Sequence, residues 1–257
     1  MLRIPTMQNA SQAPFSAKKM FYPLAQFFYQ LLFVDWIRLV VAYARYVVLV
    51  GILRRMRTFE PATGDIGVNT VHHNMLGLKR PRMLAVDRSK LLLRPLSAIR
   101  FSRADPVLCI GPRAEGEILF LMALGFRNIR AIDLISYSPW IDLGDMHALP
   151  YRDNEFAATV MGWCLAYSNN RPKAAHEAIR VTRNGGVIAI GVEYTSETAE
   201  EKSQKYGYQV CDEDRLESVA EILALFEGSV DRVFFSHDLP RGPCDKWQLM
   251  VIFSIKK

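Results

Sequence analysis

Two aspartates stand close behind short apolar stretches, where a carboxylate can take part in ligand binding. Asp133 lies near the end of the run IRAIDLI, and Asp145 follows the stretch IDL in IDLGDMH. A carboxylate at such a position can accept hydrogen bonds from hydroxyl or amino groups of a ligand. A helix N-cap would also explain Asp133, and a turn cap would also explain Asp145, so both alternatives stay open.

The segment VLCIGPRAEGE (107–117) has the layout of a first strand and turn of a nucleotide-binding α/β domain. Gly111 ends an apolar run, but proline, arginine and glutamate occupy a loop where several glycines are usual. Gly116 remains, Arg113 offers a bidentate clamp for a ligand carboxylate, and Glu117 suits the first turn of a helix by its charge. The turn is either an altered cofactor site or one that has lost its cofactor. Since a chain without a ligand would have no use for both Asp133 and Asp145, we favour the altered site.

These residues need strands and helices in a fixed order, and the sequence supplies one from Pro106 onward. Apolar strand-like runs alternate with helical patterns, and the helix in PKAAHEAIRVTRNGG is expected to stop at the Asn-Gly-Gly turn. Two strand-like runs without an intervening helix close the chain, separated by the turn residues 240–243. This order predicts a doubly wound, mostly parallel α/β sheet with a C-terminal antiparallel hairpin and an N-terminal helical extension. Ligands bind such sheets at the carboxyl ends of the strands.

Taken together, these segments resemble the class I S-adenosylmethionine-dependent methyltransferases, in particular type 11 methyltransferase domains with a divergent first motif. GDMHALPYRDNEF resembles the family segment GD-x-x-x-LPF-x-D-x-x-F, and EAIRVTRNGGVIAIG resembles its helix, glycine turn and fifth strand. The resemblance implies a Rossmann-like seven-stranded sheet over residues 105–257. The chain departs from the family at Cys109, where an acidic residue is usual, and at Arg113 and Glu115, near which glycines are usual. A nicotinamide oxidoreductase is disfavoured because GPRAEG is not the G-x-G-x-x-G turn.

The resemblance implies S-adenosyl-L-methionine as the cofactor and assigns roles to residues of this sequence. Asp133 would bind the ribose hydroxyls, and Asp145 and Met146 the adenine. The candidate cofactor-binding residues are Gly111, Arg113, Gly116, Glu117, Asp133, Asp145, Met146 and Trp163. The candidate acceptor residues are Tyr167, Tyr194 and His147, although a core aromatic or an ordinary turn histidine would explain each of them. No catalytic residue is assigned, because methyl transfer needs a base only when the acceptor must lose a proton.

The N-terminal part differs from the rest, because residues 21–57 are densely apolar and aromatic. Asp35, Arg38 and Arg45 make a membrane span costly, and at about 100° per residue they fall on one narrow stripe of a helix. A basic cluster, Arg54, Arg55 and Arg57, follows. We therefore expect residues 1–60 to be an in-plane membrane-associating helical extension. A helix packed on the catalytic domain or on another subunit is the alternative.

Residues 61–104 are predicted to be a linker with a lead-in helix. Pro61, Gly64 and Gly67 indicate a linker up to about Gly77, in which His72 and His73 would face solvent, and Arg94-Pro95 would interrupt the lead-in helix.

Composition narrows the remaining choices. The formal net charge of +6 is concentrated in the first part of the chain, where no regular interleaving with aromatics favours nucleic acid. Cys109, Cys164, Cys211 and Cys244 form no CxxC pair and no Cys/His cluster, which suggests neither a metal site nor disulfides and fits a reducing cytoplasm. We expect a methyltransferase acting on a small or amphiphilic, lipid-like acceptor, peripheral on a membrane. A non-catalytic membrane-associated binding or scaffold protein is the alternative.

Overall fold

The computed structural model describes residues 27–60, 64–85, 88–209 and 215–257. Cys211 and the start of the apolar N-terminal segment lie outside these ranges. Nine strands are described: β1 (Arg57–Thr58), β2 (Pro106–Ile110), β3 (Asn128–Asp133), β4 (Ile135–Ser136), β5 (Ile141–Leu143), β6 (Phe156–Gly162), β7 (Thr182–Thr195), β8 (Val230–His237) and β9 (Lys246–Ile255). The described α-helices are α1 (Asp35–Tyr46), α2 (Gly64–Leu78), α3 (Ser89–Ala98), α4 (Gly116–Ala123), α5 (Arg171–Val181), α6 (Ala199–Tyr206) and α7 (Val219–Ala224).

Seven strands form one sheet in the order β5-β3-β2-β6-β7-β9-β8. The first five are parallel to their neighbours, and β9 runs antiparallel to both β7 and β8. The predicted doubly wound sheet with a C-terminal antiparallel hairpin is therefore confirmed. Because β2 lies between β3 and β6, the carboxyl ends of these three strands meet at one edge.

The sheet is buried on both faces, which explains why its central strands are continuous apolar runs rather than alternating ones. Every residue of β6 is buried, and so are four of the five residues of β2. One apolar cluster packs between the sheet and α3 and α4, and another packs under α5 and α7. Burial on this scale fixes the register of the strands and with it the position of each strand end.

Two predictions about the segment before the sheet are wrong. Residues 64–78 form the helix α2 where a linker was predicted, and its end is buried through Leu78. The helix α3 continues through Pro95, where an interruption was predicted. Leu92, Leu93 and Leu96 are fully buried around this proline, so packing of that face stabilises α3 despite the missing backbone hydrogen bond.

Helix α1 packs on the domain through its polar stripe. Arg38 is 1% exposed and donates to the Leu32 carbonyl (2.8 Å) and to Asp35 (2.8 Å). The Arg45 guanidinium donates to both carboxylate oxygens of Glu115, from Nε at 2.5 Å and from Nη2 at 2.8 Å. Of the three charges on this stripe, Arg38 and Arg45 thus face the protein, whereas Asp35 is half-exposed and also binds Lys90 of α3.

The opposite side of this segment is apolar and exposed. It continues through a π-helical turn, Val47–Ile52, and ends in β1, which pairs antiparallel with β4. The exposed stripe consists of Trp36, Val40, Tyr43, Val47, Val48, Ile52 and Leu53. Within the described part of the chain, no helix is long and apolar enough to cross a membrane.

Candidate active site at the carboxyl ends of the strands

A small pocket of about 60 Å³ lies where β2, β3 and β6 end. Gly111 follows β2, Asp133 ends β3, and Gly162 ends β6, so the topology alone brings these three residues together. Six of the predicted cofactor residues and one predicted acceptor residue line the pocket: Gly111, Arg113, Asp133, Asp145, Met146, Trp163 and Tyr167. Thr70 and Asn74 of α2 cover it from above the strand ends.

Asp133 organises the turn after β2. Its Oδ2 accepts the Arg113 backbone N–H (2.7 Å), and its Oδ1 accepts that of Ile135 (3.2 Å). Burial raises the pKa of Asp133, although these backbone donors partly offset it. The helix N-cap alternative is wrong, because the short strand β4 follows Asp133. Each carboxylate oxygen accepts one hydrogen bond here and retains capacity for another.

The turn itself combines one required glycine with one unusual arginine. Gly111 has φ +70, and a Cβ atom there would lie 2.5 Å from the Cys164 Cβ. Arg113 has φ 58, a left-handed conformation that glycine adopts more readily. Its guanidinium runs past α2 at Gly77, where a Cβ atom would lie 2.7 Å from Nη1. Close packing against α2 at this point therefore depends on the missing side chain of Gly77.

Asp145 and His147 are linked in the turn after β5. Asp145 Oδ1 accepts the His147 backbone N–H (3.0 Å) and lies 2.6 Å from His147 Nδ1, while Nε2 lies 2.6 Å from the Ser168 hydroxyl. Burial tends to raise the pKa of Asp145, but the hydrogen bonds from His147 outweigh it and the pKa lies below its ordinary value. His147 therefore ties the turn at the pocket wall to the segment after β6, and Asp145 does cap its own turn.

Glu117 and Gly116 lie behind the pocket and do not line it. A Cβ atom on Gly116 would lie 2.4 Å from the Leu84 carbonyl oxygen, so this glycine allows α4 to approach the preceding segment. The Glu117 carboxylate is buried, and its Oε2 would lie 2.9 Å from a Cβ atom on Gly162. Ser89 donates to Oε2 (3.1 Å). Burial raises the pKa of Glu117 to about 7.

Of the three predicted aromatic site residues, Trp163 and Tyr167 line the pocket, and Tyr194 lies elsewhere. Trp163 has φ 63, donates its indole N–H to Gln248, and lies with its ring 3.2 Å from where a Cβ atom of Gly191 would be. Tyr167 lines the pocket, whereas Tyr194 lies near Arg215 at 5.5 Å from its ring and lines no described pocket.

A second, larger cavity of about 1,040 Å³ adjoins the pocket. Arg88, Arg113, Trp163 and Tyr167 line both and form the boundary between them. The sequence prediction missed this cavity and its residue His73, which is half-buried with Nδ1 3.1 Å from the Tyr208 hydroxyl. The spacing of Thr70, His73, Asn74 and Gly77 is that of one helix face, which was the available signal. No group of three metal-ligating side chains occurs among the residues that the structure describes.

The comparisons with known proteins bear on the fold that carries this pocket. Residues 120–190 match the family model of a methyltransferase domain, and no curated protein matches the chain. Among solved structures, the complex of the Haloferax volcanii Trm112 methyltransferase activator with a methyltransferase matches with a TM-score of 0.52. The sequence identity is 15%, over 74% of this chain and 97% of that chain.

A second solved structure is geranyl diphosphate C-methyltransferase from Streptomyces coelicolor A3(2), with a TM-score of 0.51. It is 11% identical over 77% of this chain and 88% of that chain. The seven-stranded sheet of this chain and its flanking helices thus have the class I S-adenosylmethionine-dependent methyltransferase fold. The resemblance found in the sequence is thus confirmed for the fold, and the pocket lies where that fold, like other open α/β sheets, binds ligands.

Proposed function

We propose that this protein binds S-adenosyl-L-methionine in the pocket at the strand ends and transfers its methyl group to an amphiphilic acceptor. The observation that supports this most strongly is the meeting of Gly111, Asp133 and Asp145 around one pocket at the point where β2, β3 and β5 end. Each comes from a different stretch of sequence, and the resemblance gives each a role toward the same ligand.

The residues of the pocket suit this cofactor in kind. Asp133 lines the pocket with carboxylate capacity left for two ribose hydroxyls. Gly144 and Met146 line the pocket on either side of Asp145 in the chain, where a flat base would contact them. The pocket alone is much smaller than the roughly 300–1,000 Å³ that ligand sites usually offer. A bound cofactor would therefore extend past Arg113 and Trp163 into the larger cavity.

The chain's own part in the reaction would be to bind, orient and exclude water. When bound, the cofactor supplies an electrophilic methyl group on a positively charged sulfur. Trp163 and Tyr167, at the boundary of the two cavities, would align the acceptor with that methyl group. Alignment of this kind can account for much of the rate enhancement of a displacement reaction.

We further propose that the enzyme works at an anionic membrane surface, the class of partner predicted from the sequence. The exposed apolar stripe of residues 36–53 supports this, as does its continuation into the exposed Arg54, Arg55 and Arg57. An apolar patch with a basic border is suited to a headgroup interface. An amphiphilic acceptor could then reach the larger cavity without leaving the surface.

The test of cofactor binding is calorimetry with S-adenosylhomocysteine, comparing the full chain with its Asp133→Asn variant. Loss of charge-assisted hydrogen bonds to the ribose should weaken binding at least tenfold. Asp105→Asn is the matched control, because Asp105 precedes β2 at the opposite edge of the sheet. Absence of binding by the unaltered chain at millimolar ligand would contradict the proposal and favour the non-catalytic binding protein. If the cofactor binds, incubating a cell extract with labelled S-adenosylmethionine, with and without the protein, would identify the acceptor.

A further inference from the structure

Three arginines meet at the inner end of the larger cavity, beside the boundary with the small pocket. They are Arg80, Arg88 and Arg113, and we call this group the arginine end. Arg80 follows α2, Arg88 precedes α3, and Arg113 comes from the turn after β2, so three separate segments contribute one charge each. Trp163 lies beside the group, with the Arg88 guanidinium 5.0 Å from its ring.

The charges at this end are only partly balanced by the protein. Arg88 pairs with Glu193 (2.7 Å). Arg113 is 8% exposed, its Nε has no hydrogen-bond partner, and no carboxylate of the described chain forms an ion pair with it or with Arg80. Burying a guanidinium without a partner is unfavourable, so such a group is usually completed by a ligand or by the fold. Here Asp133 acts on the Arg113 charge only from a distance, because its carboxylate oxygens accept the backbone N–H groups of Arg113 and Ile135.

Of the four carboxylates in the described lining of the cavity, only Glu193 forms an ion pair with a residue of the arginine end. Glu197 pairs with Lys205 (2.6 Å), and Glu217 pairs with Arg215 (2.6 Å). Lys202 and Lys246 also lie close enough to Glu197 to lower its pKa. Lysines and arginines outnumber carboxylates along the whole described lining of the cavity, and the arginine end differs in that Arg113 is buried there and its Nε has no hydrogen-bond partner.

His73 reports on the same field. Burial lowers the pKa of His73, and the positive charges of Arg113, Arg80, His72 and Arg88 lower it further. The neighbours that face its ring are Tyr167, Tyr206 and Tyr208, which carry no charge at neutral pH. The positive charges of the arginine end therefore disfavour the protonated form of this imidazole.

We propose that the arginine end is an anion site that binds a phosphate or carboxylate group of the methyl acceptor and thereby holds its apolar part beside Trp163. The proposal deepens the proposed function and rests on it for the identity of the ligand. Arginine suits this role because its planar fork binds phosphate and carboxylate oxygens in pairs. The carboxylate of the cofactor is a second anion that suits this site. The experiment must therefore distinguish it from the anionic group of the acceptor.

The test is a calorimetric titration of the full chain with inorganic diphosphate at constant ionic strength, with and without saturating S-adenosylhomocysteine. We expect diphosphate to bind in both conditions. The Arg80→Gln variant should weaken diphosphate binding at least tenfold and leave S-adenosylhomocysteine binding unchanged. Arg232→Gln, which removes the same charge from the exposed edge strand β8, should change neither. A parallel titration with malonate measures the preference between phosphate and carboxylate.

A second measurement does not depend on binding heats. In NMR titrations, diphosphate should raise the pKa of His73, because an anion offsets the three arginines, and the His73→Gln variant assigns the signal. Competition between diphosphate and S-adenosylhomocysteine would overturn the proposal in favour of the cofactor carboxylate. So would failure of both diphosphate and malonate to bind. If diphosphate binds through Arg80 but S-adenosylhomocysteine never binds, the anion site stands and the proposed methyl transfer fails.

Discussion

At the scale of single residues, Arg113 combines a strained backbone with a side chain that reaches the proposed anion site. Replacing it with alanine removes only the side chain, whereas glycine also relieves the left-handed backbone at φ 58. We expect Arg113→Gly to be more stable than Arg113→Ala by about 1 kcal/mol in urea unfolding. Arg130 in β3 is the control, where alanine should be the more stable of the two because a strand disfavours glycine. Equal stability of the Arg113 pair would show that the turn is not strained.

Glu117 should make stability depend on pH, because burial raises its pKa from an ordinary value of 4.5 to about 7. Between these values the folded protein binds a proton that the unfolded chain has released, so stability decreases as pH rises from about 4.5 to about 7. The total effect is about 3 kcal/mol. Glu117→Gln should remove this decrease and be the more stable protein at pH 8, as measured by urea unfolding from pH 5 to pH 8. Parallel curves for the two proteins would contradict the assignment.

The sequence predicted more of the pocket than of its surroundings. Asp133 and Asp145 could be found because strand ends and their order are local patterns, and the sheet then brings them together. The position of Glu117 behind Gly162 could not be found, because it depends on how α4 packs against β6. The exposure of His73 was predicted wrongly for the same reason, since neighbours from distant segments bury it.

At the scale of elements, α1 is held to the domain by one buried and one exposed ion pair. Glu115 is fully buried and binds Arg45 with two hydrogen bonds, whereas Asp35 is 53% exposed beside Lys90. Glu115→Ala should destabilise the protein by roughly 2–3 kcal/mol and speed hydrogen exchange along α1. Lys90→Gln, which leaves Asp35 paired with the buried Arg38, should cost less than about 1 kcal/mol. Similar effects of the two changes would mean that apolar contacts such as Ala42, rather than the buried pair, fix the helix.

In α2 and α1, both before the sheet, the structure depends on tertiary contacts that local sequence patterns do not show. Residues 64–78 contain several glycines and turn-forming residues, and their helix forms because it closes over the strand ends. In α1 the apolar and polar sides are clear from the sequence, but the usual rule turns the apolar side inward. Here buried partners such as Glu115, 70 positions away, bind the polar side instead.

At the scale of the whole molecule, α1 packs on the domain through its polar side. The apolar stripe therefore stays exposed, with basic residues at its end. The membrane-associated interpretation and the packed-helix alternative are therefore compatible, because α1 packs through one side and exposes the other. An exposed patch this apolar would promote association in water unless another surface covers it. We proposed a membrane because Arg54, Arg55 and Arg57 add positive charge at the end of the stripe.

Vesicle flotation tests this at the same scale. The full chain should bind vesicles that contain anionic lipid, and bind them more weakly as salt increases. The double variant Trp36→Ser/Val40→Ser should reduce partitioning by roughly tenfold or more, because both side chains are over half exposed on the stripe and would be buried in the interface. Phe234→Ser is the matched control, since Phe234 is an exposed aromatic on the edge strand β8, away from the stripe. A different result would be that the protein does not bind vesicles and elutes as a dimer in size-exclusion chromatography. If the double variant then elutes as a monomer, a second copy of the chain covers the stripe. The membrane proposal would then be wrong, and the acceptor would have to reach the larger cavity from solution.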